Sequence, residues 1–401
     1  MYLEIPSRLK PLVTQAHEVA RHVFRPISRK YDLAEHAYPH ELDMLAALLD
    51  GMREGGGGSG AGAAELSRKK SENKGVRNGA NMATVLGMTE LCWGDVGLAL
   101  SIPRQGLGNS AIAAVANEAQ KARFAGRWAA MAITEPSAGS DSAAITTTAR
   151  LDGDAWVING EKIFVTAGER ADAVVVWATL DKSLGRAAIK SFVVEKGTPG
   201  MEVVRLDHKL GIRASDTATI AFTDCRVPRD NILGSPEIDT DKGFGGVMKT
   251  FDNTRPVVAA MAIGISRAAL ELTREMLSKQ GAIPRYEGSI WSQSAVEAEL
   301  LRLEADLEAA RLLTLKAAWM ADNGIPNSME ASMAKAKAGR VSNAITLRCV
   351  ELCGATGYGE GELLEKWARD SKILDIFEGT QQIQLLIIAR KLLDKRSSEL
   401  K

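Results

Sequence analysis

Four short segments of this 401-residue chain carry side chains whose types and spacing could do chemistry. The last, Phe377-Glu378-Gly379-Thr380-Gln381-Gln382, places a carboxylate near Ile373, Leu374, Ile376 and Phe377, just before a helix whose N-cap is expected at Thr380. A carboxylate in apolar surroundings titrates high, which suits a general base working near neutrality. The same spacing would also fit a surface glutamate or a capping partner. The first, Met131-Ala132-Ile133-Thr134-Glu135-Pro136-Ser137-Ala138-Gly139-Ser140-Asp141, mixes small residues with hydroxyls. Such a backbone can approach a flat ligand closely while Thr134 and Ser140 offer hydrogen bonds, though an ordinary Pro/Gly/Ser loop has the same composition.

Lys162-Ile163-Phe164-Val165-Thr166-Ala167-Gly168 follows an expected turn at Asn159-Gly160. An aromatic, an apolar residue and a threonine at a strand end could cover a ring and bond its edge. Equally, Phe164 could be core and Thr166 a strand former. In Phe251-Asp252-Asn253-Thr254-Arg255-Pro256, at a helix entry, the arginine can engage a phosphate or carbonyl, or serve only as a cap or solvated charge.

The elements that must hold these residues follow from periodicity. Residues 7–127 read as helical, with Leu9, Leu12, Val13, Ala16 and Val19 at spacings of three and four. Gly55 to Gly62 matches GxGxxG formally, but it follows a helical pattern rather than a strand, so it reads as a connection and not a phosphate site. Short β-prone runs at 146–151, 155–158, 173–178, 191–195, 202–206 and 217–222, with Asp152-Gly153 and Asn159-Gly160 as hairpin signals, predict a small antiparallel β barrel or sandwich. Leucines 300, 303, 307 and 313, a second stretch from Ser328 to Leu352 and a last one from Thr380 predict a C-terminal four-helix bundle. The expected organisation is therefore α+β and multidomain: an all-α N-terminal domain over 1–130, a central β domain over 131–240 and a helical bundle over 241–401.

Fifty basic residues balance 50 acidic ones, which argues against nucleic acid or an anionic membrane as the main partner. The basic run Arg68-Lys69-Lys70 reads as solvated surface. The four cysteines (Cys92, Cys225, Cys349, Cys353) form no CxxC pair and have no nearby histidine, so no metal site is expected. The first residues, Met1 to Pro6, lack the basic start and apolar core of a leader, and no uninterrupted apolar run reaches eighteen residues; a cytoplasmic location with no membrane anchor is expected.

Taken in order, Ile133-Thr134-Glu135-Pro136, Gly139-Ser140-Asp141, Ile158-Asn159-Gly160-x-Lys162, Lys209-Leu210-Gly211-Ile212-Arg213, Val227-Pro228, Arg255 and Glu378-Gly379-Thr380 resemble the acyl-CoA dehydrogenase family over roughly residues 130 to 395. The resemblance implies FAD between the β domain and the bundle, with Met131, Ile133, Thr134, Gly139 and Ser140 along the flavin ring and its pyrimidine edge. It implies Phe164, Val165 and Thr166 at the flavin, and Thr380 and Gln382 at its ribityl or phosphate region. Ser140, Asp252, Thr254, Arg255 and Gly379 would contact the acyl-CoA, and Glu378 would be the base that removes the Cα proton. Some relatives carry the base just before the arginine, where this chain has Thr254. A homotetramer or homodimer, with an electron-transfer flavoprotein as electron acceptor, is implied as well.

Two departures accompany the resemblance. Relatives grip the adenosine half of FAD with an Arg-x-x-Phe-Gly segment from a neighbouring subunit. This chain has Gln280-Gly281-Ala282-Ile283-Pro284-Arg285-Tyr286-Glu287-Gly288 there, with Arg285 or Tyr286 as substitutes. A Gln-x-x-Gly-Gly pattern appears as Glu351-Leu352-Cys353-Gly354-Ala355, which would set Glu351 and Gly354 at the cofactor, and a carboxylate beside a pyrophosphate is unfavourable unless it is turned away. An acyl-CoA oxidase, or a weakly active subunit completing a partner's FAD site in a hetero-oligomer, are the alternatives.

Overall fold

The computed structural model describes residues 5–54, 79–238, 245–395 and 399. The glycine-rich stretch from Gly55 to Gly62, the run Arg68-Lys69-Lys70 and the first four residues lie outside the described residues. Helices α1 (Lys10–Val19), α2 (Arg25–Leu33), α3 (Glu41–Glu54), α4 (Ala80–Gly94), α5 (Val96–Leu100), α6 (Leu107–Val115) and α7 (Glu118–Arg123) come first. Strands β1 (Ala129–Ala132), β2 (Thr148–Asp152), β3 (Ala155–Thr166), β4 (Ala173–Thr179), β5 (Ile189–Glu195), β6 (Met201–Leu206) and β7 (Thr217–Pro228) follow. The chain then returns to helix in α8 (Gly245–Ser278), α9 (Ala295–Asp322), α10 (Ser328–Tyr358), α11 (Leu364–Ser371) and α12 (Gln381–Leu393).

The strands form one curled sheet in the order β1-β4-β2-β3-β7-β6, with β5 on β4. Most pairs are antiparallel, as the hairpin signals imply, but β1 runs parallel to β4. A parallel neighbour needs a crossover, and here the β2–β3 hairpin occupies the chain between the two. Strand β4 is buried along its whole length. Because side chains alternate across a sheet, Val174, Val176 and Ala178 enter one apolar core while Ala173, Val175 and Trp177 enter another, shared with Ala111, Ile112 and Phe124.

Asp152-Gly153 makes the β2–β3 turn, with Asp152 opposite Ala155. Asn159-Gly160 does not turn the chain. It lies inside β3, at a register shift against β7. The Asn159 side chain bonds the Asp224 carboxylate and accepts from the Asp224 N–H, which ties the residue to the neighbouring strand, and a Cβ at Gly160 would fall 2.4 Å from Thr147 Oγ1. Asn-Gly marks a bulge here because only glycine admits that close approach.

A third, larger core unites α4, α8, α9, α10 and α11, through residues such as Val85, Ala260, Leu303, Ile345 and Trp367. The first and last helical regions of the chain therefore share one interior. The segment Thr254–Ser278 of α8 is long and apolar enough to cross a membrane, with mean hydropathy 1.4, although Arg255 and Arg267 interrupt it; its apolar window is 83% buried inside the protein. That marks it as the central core helix of the bundle.

A buried polar junction ties the three regions together. Lys366 on α11 donates to Asp95, the N-cap of α5, at 2.7 Å and to Asp370 at 2.5 Å. Ser28 of α2 also bonds Asp95, and Asp370 accepts from the Ile212 N–H of the Lys209–Arg213 segment. Burial works against the Lys366 charge, but Asp370 and Asp95 outweigh it and hold the ammonium well above the usual lysine range.

Candidate active site

Glu378 sits on a tight turn at the foot of the bundle. A 3-10 segment, Lys372–Asp375, ends with Ile376 and Phe377 both donating to the Ile373 carbonyl, a shared acceptor common at helix termini. Two consecutive residues then take positive φ, Glu378 at 55° and Gly379 at 88°. For a glutamate that conformation costs about 1–3 kcal/mol, so the surroundings must enforce it. At Gly379 a side chain would be strained by the backbone, and its Cβ would lie 2.5 Å from Gln384 Nε2. Thr380 caps α12, accepting from the Ile383 N–H.

Three side chains from three helices converge on this turn. Thr254 of α8 donates to the Glu378 carboxylate at 2.7 Å. Lys335 of α10 donates to the Gly379 carbonyl at 2.7 Å. Gln384 of α12 donates to the Glu378 and Gly379 carbonyls at 3.1 and 3.0 Å. Arg255 and Lys335 are both buried. Among the described residues none accepts from the Glu378 backbone N–H, which leaves that donor for a ligand.

The electrostatics suit a base. Burial raises the Glu378 carboxyl above the ordinary glutamate range, and the Thr254 hydroxyl, Arg255 and Lys335 each restrain the rise. Lys335 is pushed down to about 8, chiefly by burial, with Arg255 adding to the fall and Asp375 and Glu378 opposing it.

A second grouping lies on the sheet. Glu135 is buried, and Lys162, itself without exposed surface, donates to its carboxylate at 2.8 Å and to the Ile133 carbonyl at 3.1 Å. Thr146 and Thr147 supply further donors, and Ile163 N–H bonds the Thr134 carbonyl. These contacts lock the 131–140 segment against the end of β3. Burial works to raise the Glu135 carboxyl, but Lys162 and the threonine donors outweigh it and hold it at about 2.

Beside this lock a register shift between Lys162 and Val165 throws Phe164 outward, at φ 57° and 62% exposed, so it is not core. Val165 is buried and Thr166 half-buried. Met131, Ile133 and Thr134 are half-buried, while Gly139 and Ser140 are exposed. Among the described residues neither the Thr134 nor the Thr166 hydroxyl bonds another group of the chain.

Other candidates fall elsewhere. Glu351 and Gly354 are exposed, 16 and 19 residues along α10 from Lys335, or about 24 and 28 Å at the rise of a helix. Glu351 is paired with Arg348 at 2.5 Å, and Gly354 kinks α10 at φ 56°. Gln382 is exposed at the start of α12. Asp252 lies in α8, but its side chain is outside the described residues. Arg285 and Tyr286 occupy an exposed loop, Arg285 bonded to Ser292 and Gln293 and Tyr286 to Arg274 and Glu304. Glu35, His36 and His208 gather within 4.8 Å, but Glu35 is already engaged by His208 and the Lys209 N–H, and Lys209 disfavours a further cation there.

The sequence reading missed Lys335 and Gln384. The available signal was positional. Lys335 interrupts a face of α10 otherwise made of small residues, Ala331, Ala338 and Ser342, all buried.

Comparison with known proteins adds an independent line. The model of the acyl-CoA dehydrogenase middle domain matches residues 130–225, and that of the acyl-CoA dehydrogenase C-terminal domain matches 241–393. The short-chain specific acyl-CoA dehydrogenase of Clostridium acetobutylicum is 37% identical over 267 residues, covering 66% of this chain and 68% of that protein. The chain belongs to the acyl-CoA dehydrogenase family. The mitochondrial short-chain specific acyl-CoA dehydrogenase of Bos taurus is 40% identical over 262 residues, 65% of this chain, and the match spans 62% of that relative's length. The butyryl-CoA dehydrogenase structure from Megasphaera elsdenii superposes with a TM-score of 0.83 at 30% identity, covering 98% of this chain and all of that one.

Members of the acyl-CoA dehydrogenase family are FAD-dependent flavoproteins. The donor set on the sheet fits that cofactor: an exposed aromatic at a bulge, two uncommitted threonine hydroxyls, and a glycine at 139 with no atom within 4 Å of where a Cβ would stand. A flat ring with polar edges needs this combination of open backbone and directed donors.

Proposed function

We propose that this protein is an FAD-dependent acyl-CoA dehydrogenase that converts a short, straight acyl-CoA thioester to the trans-2-enoyl-CoA, with Glu378 as the base. The observation that carries the reading is a buried, high-titrating carboxylate on a left-handed turn, with Thr254 bonded to the carboxylate and Lys335 and Gln384 to the backbone carbonyls of the turn. The names of the relatives above support short acyl chains.

Glu378 takes the Cα proton. The Glu378 backbone N–H donates to the thioester carbonyl and stabilises the enolate-like charge that grows as the proton leaves. Bound FAD supplies the acceptor for the hydride that departs from Cβ. Met131, Ile133, Thr134, Gly139, Ser140, Phe164, Val165 and Thr166 hold and orient the ring, and Thr380 with Gln382 reach its ribityl or phosphate region. Ser140, Asp252, Thr254, Arg255 and Gly379 hold the acyl-CoA, with the buried Arg255 charge favouring an anionic or carbonyl group. Electrons leave to an electron-transfer flavoprotein, and the active form is a homotetramer or homodimer in the cytoplasm.

Anaerobic bleaching of the flavin with a panel of acyl-CoA thioesters tests both activity and chain length. Butyryl-CoA is expected to bleach fastest. The Glu378→Gln variant is expected to stay yellow and bind ligand while reducing its flavin about 10²- to 10⁴-fold more slowly. Reduction at the wild-type rate by that variant overturns the assignment.

A further inference from the structure

Lys335 is a charged side chain with no exposed surface, set on a face of α10 lined by alanine and serine. Burying an ammonium is costly unless opposite charges and hydrogen bonds replace its lost hydration. Among the described residues its hydrogen-bond acceptor is the Gly379 carbonyl, 2.7 Å away, immediately after the base. Gln384 reaches the same carbonyl and that of Glu378 from the opposite element, α12. The two carbonyls of the left-handed pair are therefore fixed from α10 and α12, and the Glu378 carboxylate from α8.

Resting on the reading of Glu378 as the base, we infer that Lys335 is a positioning residue: its ammonium clamps the Gly379 carbonyl, enforces the left-handed turn that aims Glu378, and stabilises the carboxylate form through space. The charged groups that face it are Glu378 and Asp375 on the turn and its 3-10 approach, and Arg255 from α8; α12 offers the neutral Gln384. Lys335 and Arg255 act in one direction on Glu378, favouring its ionised state. Loss of Lys335 removes one of those two cations. The carboxyl then titrates higher, and the proton-accepting form is reached only at higher pH. The turn also loses one of its three donors.

The experiment uses flavin-loaded enzyme and anaerobic stopped-flow reduction by butyryl-CoA, with and without Cα deuteration, from about pH 5.5 to 9. Binding of a redox-inert thioether analogue of the acyl-CoA is measured alongside. Lys335→Met is expected to lower the limiting reduction rate on the order of 10²-fold, as misplacement of a base does, with a larger deuterium effect. Its acidic limb is expected to move to higher pH, and affinity for the inert analogue to stay within about threefold. Lys335→Gln, which keeps a donor without charge, is expected to recover rate at high pH but keep the shifted limb. Lys335→Arg is expected to move the limb back. A folded Lys335→Met enzyme with the wild-type rate and limb overturns the inference. So does a slowed Lys335→Met enzyme whose limb has not moved, since a merely structural lysine would behave that way. Should Lys335→Met fail to fold, an unmoved limb in Lys335→Gln overturns it equally. Glu378→Gln separates the two claims. If that variant reduces flavin normally, the base assignment falls; if it does not and the Lys335 variants behave as wild type, only the role of Lys335 falls.

Discussion

Thr254 Oγ1 and Glu378 Oε2, 124 residues apart in the chain, stand 2.7 Å from one another. The hydroxyl can only donate to an ionised carboxylate, so it favours the charged form and opposes the effect of burial. Replacing it with valine should raise the Glu378 carboxyl further. A hydrogen bond to a charged group contributes about 1.5–3 kcal/mol, so reduction below neutral pH should slow by about 10- to 10²-fold and recover as pH rises. The pH profile of flavin reduction in Thr254→Val measures this. An equal loss at every pH would mean that Thr254 acts on substrate placement and not on the base.

Gly379→Ala should harm both stability and activity. Its φ of 88° is unfavourable for alanine, and the new Cβ would collide with the Gln384 amide that organises the turn. A cost of about 1–3 kcal/mol is expected in denaturant unfolding. Adding Gln384→Ala relieves the collision and should restore part of the stability while leaving reduction slow.

The Glu135–Lys162 pair should govern acid stability of the β domain. The Glu135 carboxyl is held at about 2 against an ordinary value of 4.5, so it binds a proton more readily in the unfolded chain. Its contribution is therefore complete above about pH 4.5 and is lost as pH falls toward 2. Glu135→Gln leaves Lys162 buried without its carboxylate and should cost about 3–5 kcal/mol at neutral pH. Urea unfolding at several pH values should show the gap between wild type and Glu135→Gln narrowing from pH 5 downward.

Lys366→Met should loosen the junction of all three regions. It strands two buried carboxylates, Asp95 and Asp370, and the expected cost is again about 3–5 kcal/mol. Amide exchange should rise at Leu98 and Ile212, whose N–H groups bond those carboxylates. Unchanged protection at both would show that the carboxylates hold without the ammonium.

Much of this architecture was legible because it rests on local rules. The unbroken apolar run at 173–178, the Asp152-Gly153 turn and the Thr380 cap are each set by neighbours within a few residues. What was not legible depended on distant partners. Asn159-Gly160 looked like a turn until Asp224 and Thr147 claimed it for a bulge. Phe164 was undecided between core and ligand until the register shift exposed it. The proposed base, Glu378, was visible as a glutamate near apolar residues, but the lysine behind it was not, because a lysine in an alanine-rich helix usually marks a solvated face. Only the packing of α10 against the 372–375 segment shows otherwise.

The shared interior of α4 and α8 has a consequence for synthesis. Roughly 150 residues separate the end of α4 from the start of α8, which a ribosome adds in about 8–30 s. During that interval the β domain can complete its own cores, while the apolar face of α4 has emerged without its partner. The nascent chain thus carries part of an apolar face without its α8 partner for more than a third of its elongation, and the shared interior closes only once the C-terminal helices have left the tunnel.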